Sequence, residues 1–378
     1  MMIRPLWIEI NLKALRNNFK RVKNLVGRNI KVIATVKQSA YGHGLIPIAR
    51  ELSVLGVDFF GVGSVEEAVL LRENGFKEPI LVLTAVLKGF ANYFIQYNLT
   101  PTVVDIKFAK EVNKQAAKKG MIFPVHIKID TGMGRLGPYY KDAYEFIKQI
   151  RRFKNIFLEG IYTHMPCVDT DPSFTNYQIS IFNEFILKLK KENIQFKFQH
   201  CANSMGIANF PNSHFNMVRP GLILYGIKPS PRIDLEVNPV LSLKSRIIFL
   251  KSIKKGMGIS YGRTYIVKKT TRIGTAAIGY ADGYPWALSN VASVIIKNSF
   301  FSLVGRVCMD HIMVNLGNRG DIKVEDEVIL IGRRKDLQIT VQDLASRAKT
   351  IPYEIISRLS PKIPRIYKYP FSEVKDPP

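Results

Sequence analysis

Apolar residues follow two alternating patterns over the first two-thirds of the chain. Runs of strand length, rich in β-branched residues, precede stretches in which apolar residues recur every three or four positions, as on a helix with one buried face. The predicted strands are Ile30–Lys37, Val57–Ser64, Ile80–Val86, Thr100–Asp105, Phe123–Asp130, Ile156–His164, Phe196–Asn203 and Met217–Tyr225. The helical stretches include Ser64–Val69, with Ser64 and Glu67 as a capping box, Ile106–Lys119, Asp142–Phe153 and Phe174–Lys191. About eight such alternations predict a (β/α)8 barrel.

The pattern changes after about residue 236. Strand-length runs separated by Gly, Asp and Asn dominate, and one helix is predicted near Val341–Ala348. We therefore predict an α/β chain with two domains: an N-terminal TIM-like barrel at residues 1–235 and a C-terminal mainly-β domain at residues 236–378. A doubly wound open sheet is the alternative fold, but no Gly-x-Gly-x-x-Gly follows the first strand.

Charge and cysteine content narrow the choice of partners. The formal charge of +25 raises nucleic acid or an acidic membrane surface as partners, but no basic stripe carries interleaved aromatic residues. No apolar run approaches the ~20 residues that a membrane span requires. The N-terminus lacks the layout of a signal peptide, and three scattered cysteines form neither a metal-type pair nor a disulfide framework. We expect a cytoplasmic protein that binds no metal, nucleic acid or membrane.

Polar residues stand where the predicted barrel strands end, which is where barrels of this kind carry their chemistry. They are Lys37, Asp130, Arg135, His164, Asn203, Ser204 and Arg219, and Gly221 lies beside the last of them. Taken singly, His164 is compatible with a core histidine, Arg219 with a salt bridge, and the pair at 203 and 204 with a helix cap. Their placement on one rim favours a functional site.

Two features of that rim together suggest a cofactor. A half-buried Lys37 would have a lowered pKa, which an amine needs in order to form a Schiff base with an aldehyde. Ser204 and Gly221 follow the seventh and eighth strands, where barrels commonly bind phosphate. An aldehyde and a phosphate on one ligand suggest pyridoxal phosphate.

The sequence resembles the alanine racemases, which belong to the barrel class of pyridoxal-phosphate enzymes, over nearly its whole length. The resemblance is carried by ordered motifs: Val36-Lys37-x-x-Ala40-Tyr41-Gly42-His43-Gly44, Lys128-Ile129-Asp130-Thr131-Gly132-Met133-Gly134-Arg135, Tyr162-Thr163-His164, Ala202-Asn203-Ser204, Val218-Arg219-Pro220-Gly221, Ser260-Tyr261-Gly262, Gly279-Tyr280-Ala281-Asp282-Gly283 and Val307-Cys308-Met309-Asp310. It implies interconversion of L- and D-alanine, with a downstream role in supplying D-alanine for peptidoglycan.

The resemblance also implies a mechanism with two bases on opposite faces of the substrate. These would be Lys37, which carries the cofactor at rest, and Tyr261, helped by His164 and Arg219. Tyr261 lies in the β-rich half and Lys37 in the barrel. In the family such residues come from opposite subunits, so the resemblance implies a homodimer with shared active sites.

Further site residues follow from the same resemblance. Arg135, Met309 and Tyr280 would bind or enclose the substrate, and Arg219 would face the pyridine nitrogen. Lys128 matches a position that is a carbamate in some members. The implied cofactor-binding set is Lys37, Tyr41, Arg135, His164, Asn203, Ser204, Arg219, Gly221 and Leu222.

Two positions depart from the family pattern. Gln38-Ser39 replace the usual Ala-Asp or Ala-Asn, and Pro361 stands where the family usually has a tyrosine that supports the phosphate and abuts the catalytic tyrosine. We therefore hypothesise some relaxation toward serine, so a broader small-amino-acid racemase is the alternative function. A racemase for basic amino acids, a non-enzymatic pyridoxal-phosphate carrier and a nucleic-acid-binding protein are the remaining alternatives.

Overall fold

The structure, a computed structural model, describes residues 4–369, so residues 1–3 and 370–378 of the two predicted domains lie outside the described part. Strand β1 (Leu6–Asn11) leads directly into helix α1 (Leu12–Val26). The side chain of Asn11 accepts a hydrogen bond from Ala14 N–H, which caps α1 and ends the strand. A barrel follows.

Eight parallel strands form the barrel, which confirms the predicted fold class. They are β2 (Lys31–Thr35), β3 (Phe59–Val62), β4 (Ile80–Val82), β5 (Thr100–Val103), β6 (Phe123–Lys128), β7 (Ile156–Tyr162), β8 (Phe198–His200) and β9 (Met217–Val218). Hydrogen bonds link them in chain order from β2 to β8, and β9 pairs with β2. The Arg219 N–H donates to Ala202 O across the remaining seam, which nearly closes the barrel.

Helices surround the barrel. They are α2 (Lys37–Tyr41), α3 (Leu45–Val54), α4 (Val65–Glu73), α5 (Ala91–Gln96), α6 (Ile106–Lys118), α7 (Ala143–Arg151), α8 (Pro172–Lys191) and α9 (Ser204–Asn209). Short polar side chains set several starts: Ser64, Asp105 and Asp171 each accept a hydrogen bond from a backbone N–H in the first turn. The predicted helices at 106, 142 and 174 are present with ends shifted by one or two residues.

The C-terminal half is mainly β, as predicted. Its strands are β10 (Leu241–Ile253), β11 (Gly258–Ile259), β12 (Tyr265–Ile266), β13 (Thr271–Ala276), β14 (Ser293–Ile296), β15 (Ser299–Ser302), β16 (Ile312–Gly317), β17 (Glu327–Arg334), β18 (Leu337–Ile339) and β19 (Arg365–Lys368). Two helices, α10 (Val341–Ala348) and α11 (Pro352–Ser357), precede β19.

Strand β1 joins this second sheet and not the barrel. It pairs antiparallel with β10 and parallel with β19. Its side chains at Leu6, Ile8 and Ile10 are buried in the continuous apolar core that the two halves share. The proposed boundary at residues 235 and 236 falls in the connection before β10, but the second sheet also recruits the start of the chain. In the described part of the chain, no helix combines the length and apolarity that crossing a membrane would need.

Candidate active site

Lys37 stands at the carboxyl end of β2, where the backbone turns with unusual geometry. The four residues after it, 38–41, have φ angles of 53°, 52°, 53° and 55°, so α2 contains a left-handed turn built without glycine. Each such residue costs about 1–2 kcal/mol relative to a right-handed conformation. The turn is therefore held by its surroundings, which also fix the position of the Lys37 backbone.

Glu67 is one of the groups that hold this turn, and it corrects the predicted capping box. Ser64 does cap α4, since its hydroxyl accepts from Glu67 N–H at 3.3 Å. The Glu67 carboxylate, however, accepts from Ser39 N–H at 3.0 Å and from Gly63 N–H at 2.9 Å. It therefore connects α4 to the turn after Lys37 and does not close a box on Ser64.

The Lys37 amine is biased toward its reactive, neutral form. Burial lowers the pKa of Lys37, the Arg135 guanidinium lowers it further, and the Glu67 carboxylate partly opposes both. A neutral amine is the form that attacks an aldehyde and that accepts a proton as a base.

Lys128 and the loop to Arg135 occupy the end of β6. Lys128 is buried, and burial together with the charges of Arg135 and Arg219 lowers its pKa to about 8. The Asp130 carboxylate accepts from the N–H groups of residues 132, 133 and 134 at 2.7–2.8 Å, which shapes the loop that ends at Arg135. Asp130 therefore fixes the conformation of the loop backbone.

Arg219 is buried on the same rim and tied down on one side. It donates to His200 Nδ1 at 2.6 Å, to Thr163 O at 2.7 Å and to Cys201 O at 3.0 Å. Burial and the positive charge of Arg219 hold the pKa of the neighbouring His164 well below its usual range. His164 is therefore a neutral imidazole next to a permanent cation.

Tyr41, Ser204 and Gly221 form a small cradle. Ser204 Oγ accepts from Gly221 N–H at 3.0 Å, which leaves the hydroxyl hydrogen free to be donated to an anion. A Cβ at Gly221 would lie 2.7 Å from the Tyr41 hydroxyl and 3.8 Å from Ser204 Oγ, so glycine keeps this space open. Leu222 follows directly and is buried. Asn203 caps α9, accepting from Met205 N–H and Gly206 N–H, so its side chain positions Ser204.

Tyr353, which the sequence analysis missed, lies beside this cradle. Its ring centroid is 6.2 Å from that of Tyr41, because α11 begins at Pro352 and its first turn packs toward α2. Pro361, where we placed the missing tyrosine, is exposed in the segment after Ser360. Tyr353 stands eight residues before Pro361, so its presence leaves the departure at position 361 as a prediction.

Tyr261, Tyr280 and Met309 form a second group, in the C-terminal domain. Ser260 Oγ donates to Arg306 O, which fixes the turn that carries Tyr261. The Tyr280 N–H donates to Cys308 O, which places Tyr280 beside the Met309 segment. The three side chains are 71%, 45% and 55% exposed respectively.

The two groups of predicted site residues do not meet within one chain. Across residues 4–369, no hydrogen bond, ion pair or ring contact joins the second group to the rim residues from Lys37 to Leu222. The rim alone suits a phosphorylated aldehyde. It offers the Lys37 amine with its lowered pKa, the permanent cation of Arg219 and the open cradle at Gly221 for an anion. The residues present therefore fit pyridoxal phosphate.

Comparison with known proteins gives one consistent result. Residues 10–229 match the family model "Alanine racemase, N-terminal domain" and residues 240–367 match "Alanine racemase, C-terminal domain". A protein of Halothermothrix orenii named alanine racemase is 42% identical over 97% of each chain. The solved alanine racemase of Clostridium difficile 630 has a TM-score of 0.91 at 36% identity, covering 97% of both chains. That of Bacillus anthracis, solved with bound L-Ala-P, has a TM-score of 0.92 at 33% identity over 99% and 98% of the chains.

Proposed function

The chain belongs to the alanine racemase family and is an enzyme that interconverts L- and D-alanine, and we propose that it does so with pyridoxal phosphate and two bases. The observation that carries the proposal is the rim geometry. A lysine with a lowered pKa and the cradle at Tyr41, Ser204 and Gly221 lie on the same end of one barrel.

Pyridoxal phosphate, when bound, withdraws electrons from the substrate and so acidifies its Cα–H bond. Lys37 would anchor the aldehyde carbon, and Tyr41, Ser204, Gly221 and Leu222 would hold the phosphate. The second phenol, Tyr353, supports the same end of the site.

The proton transfers are assigned to two side chains on opposite faces of the substrate. Lys37 moves the proton on one face, because its lowered pKa increases the fraction of the amine in its neutral form. Tyr261 moves the proton on the other face. Since Tyr261 is 71% exposed and lies outside the rim of its own chain, we assign it to the rim of a second copy in a homodimer.

The charged and polar residues of the rim would limit electron withdrawal by the cofactor and bind the substrate. Arg219 is always charged and would present its free N–H groups to the pyridine nitrogen, which keeps that nitrogen unprotonated and limits electron withdrawal. His164, held neutral, supports the phenol of the partner's Tyr261. Arg135 pairs with the substrate carboxylate, and Met309 and Tyr280 of the second copy narrow the pocket to a short side chain.

Lys128 is the candidate for carbamylation. Its pKa of about 8 leaves a substantial neutral fraction near pH 8, and a neutral amine is the form that adds carbon dioxide. A carbamate there would offset the adjacent charges of Arg135 and Arg219.

The proposed biological setting is based on family membership and on the cysteine content. We propose a cytoplasmic enzyme that supplies D-alanine for peptidoglycan, in keeping with three unpaired cysteines. A second hypothesis is some relaxation toward serine, which rests on Pro361 in place of the tyrosine usual in the family.

One experiment tests the cofactor, the lysine and the substrate together. Pyridoxal phosphate is added to the wild type and to Lys37→Ala, and the absorbance of the bound cofactor and the optical rotation of L-alanine, L-serine and L-lysine are followed. We expect lysine-dependent absorbance and loss of rotation with L-alanine above all. Undiminished racemisation by Lys37→Ala would refute the proposal.

A further inference from the structure

Two buried histidines connect Arg219 to the opposite side of the barrel interior, and the proposed mechanism does not use them. Arg219 contacts His200 Nδ1 at 2.6 Å, and His200 Nε2 lies 3.0 Å from His126 Nδ1. His126 Nε2 in turn faces Glu159 Oε2 at 3.6 Å, a distance longer than that of a hydrogen bond. The four side chains thus form one row.

The pairing of β6 with β7 is irregular beside this row. Strands β6 and β7 pair Val125 with Leu158 and then His126 with Gly160, so Glu159 is an extra residue in β7. Such a bulge re-aims a side chain, here that of Glu159 toward the interior. A Cβ at Gly160 would lie 2.4 Å from His126 Nδ1, so the glycine makes room for the imidazole.

The donor inventory fixes where every proton in the row must be. An arginine can only donate, so His200 Nδ1 must accept and the proton of His200 must be on Nε2. That proton is donated to His126 Nδ1, which leaves the His126 proton on Nε2, pointing at the Glu159 carboxylate. The opposite tautomers would set N–H against N–H at Arg219 and a lone pair against the carboxylate.

We propose that His126 and Glu159 are positioning residues, which act through His200 to hold the Arg219 guanidinium in one orientation. The proposal rests on the role proposed above for Arg219 at the pyridine nitrogen. Of the five N–H donors of an arginine, the bonds to His200, Thr163 and Cys201 use three. Two donors remain to face the cofactor, and the direction in which they point depends on the row behind them.

The electrostatics agree with two neutral imidazoles. Burial, the charge of Arg219 and the neighbouring His126 hold the pKa of His200 well below its usual range. Burial also lowers the pKa of His126, although the Glu159 carboxylate opposes it. Lys197 Nζ lies 3.8 Å from Glu159 Oε1 at the outer end of the row.

The proton positions can be measured directly. The chain has six histidines, so long-range proton–nitrogen NMR of the imidazoles gives a small spectrum, assigned by single His→Gln replacements. We expect His126 and His200 to be neutral at pH 7 with the proton on Nε2, in both the cofactor-free and the cofactor-loaded dimer. A charged imidazole, or a proton on Nδ1 of either one, would overturn the proposal.

Two substitutions test the consequence for catalysis. Glu159→Gln removes the charge and keeps the size, and Gly160→Ala pushes on the His126 ring while leaving Glu159 in place. Each should lower kcat for alanine by about tenfold with KM changed less than twofold, because Arg219 acts on the reacting system more than on substrate binding. Each should also shift the absorbance of the bound cofactor and the imidazole nitrogen resonances.

The matched control is Glu145→Gln, which removes an exposed glutamate that also pairs with one lysine. It should change none of these readouts. Unchanged kcat and cofactor absorbance in both Glu159→Gln and Gly160→Ala would overturn the proposal. The NMR result on cofactor-free protein is independent of Lys37 and Tyr261, so a failure of the proposed two-base mechanism is seen separately, as activity in Lys37→Ala.

Discussion

At the scale of single residues, Glu67 acts on Lys37 through both the backbone and the field. Its carboxylate binds the turn after Lys37, and its charge raises the pKa that burial and Arg135 lower. Replacing Glu67 by Gln should therefore lower the pKa of Lys37 further. In cofactor-free protein, the pH at which pyridoxal phosphate reacts at half its maximal rate should move to a lower value, as followed by absorbance.

Glu66→Gln is the control, because Glu66 is an exposed acid in the same helical turn. It should leave that pH unchanged. Glu67→Gln should also reduce the free energy of unfolding by about 1–3 kcal/mol, since one backbone N–H of the turn loses a charged acceptor. A shift to higher pH would contradict the assignment of Glu67.

Lys128 gives a prediction about pH and carbon dioxide. Because burial and two arginines lower its pKa to about 8, its neutral fraction grows as the pH rises through that value. In 13C-bicarbonate, carbon NMR should show a carbamate resonance that strengthens between about pH 7 and pH 9. The resonance should be absent in Lys128→Arg and retained in Lys118→Arg, which alters an exposed lysine. Its persistence in the first variant would exclude Lys128.

At the scale of elements, α11 and α2 lie together at the proposed phosphate end of the site. Tyr353 in the first turn of α11 faces Tyr41 in α2, and Arg365 donates to Gly42 O at 3.2 Å from the following strand. Tyr353→Phe should weaken pyridoxal phosphate binding by about 1 kcal/mol, roughly fivefold in Kd, by equilibrium dialysis. Pro361→Tyr tests the separate hypothesis on position 361, which predicts a higher alanine-to-serine ratio of kcat/KM in the variant than in the wild type. Equal ratios would contradict that hypothesis.

Sequence patterns located most of the elements and the rim, for identifiable reasons. Barrel strands are buried on both faces, so they are continuous apolar runs, and parallel strands must end together. That placed Lys37, His164 and Arg219 on one rim, where the structure has them. The role of Glu67 was misassigned because Ser64 followed by Glu67 is the sequence pattern of a capping box. The sequence pattern does not show that the Glu67 carboxylate instead accepts a hydrogen bond from the distant Ser39.

Other features leave no local trace in the sequence. The bulge at Glu159 depends on the register between β6 and β7. The sequence of one strand alone does not specify that register. The membership of β1 in the second sheet depends on partners more than 200 residues away. Such pairings are decided by tertiary contacts and not by local propensity.

At the scale of the whole molecule, the separation of Tyr261 from Lys37 predicts complementation between inactive variants. Lys37→Ala and Tyr261→Phe should each be nearly inactive as homodimers. After subunit exchange, hybrid dimers would contain one site with both residues intact, so a random mixture should recover about a quarter of wild-type activity. The measurement is racemase activity before and after unfolding and refolding the two variants together.

The control for this experiment is a mixture of Lys37→Ala with the double variant Lys37→Ala/Tyr261→Phe. Every rim in it lacks the lysine, so no activity should return. If the first mixture also stays inactive although mass spectrometry shows hybrid dimers, each site is complete within one chain, and the proposed dimer is wrong.

The pairing of β1 with β10 and β19 has a consequence for biosynthesis. Residues 6–11 are synthesised before their partners at 241–253 and 365–368. The nascent barrel therefore carries an unpaired, apolar β1 until β10 has emerged. Fragments that terminate before β10 would expose β1, and we expect them to be chaperone clients or to aggregate.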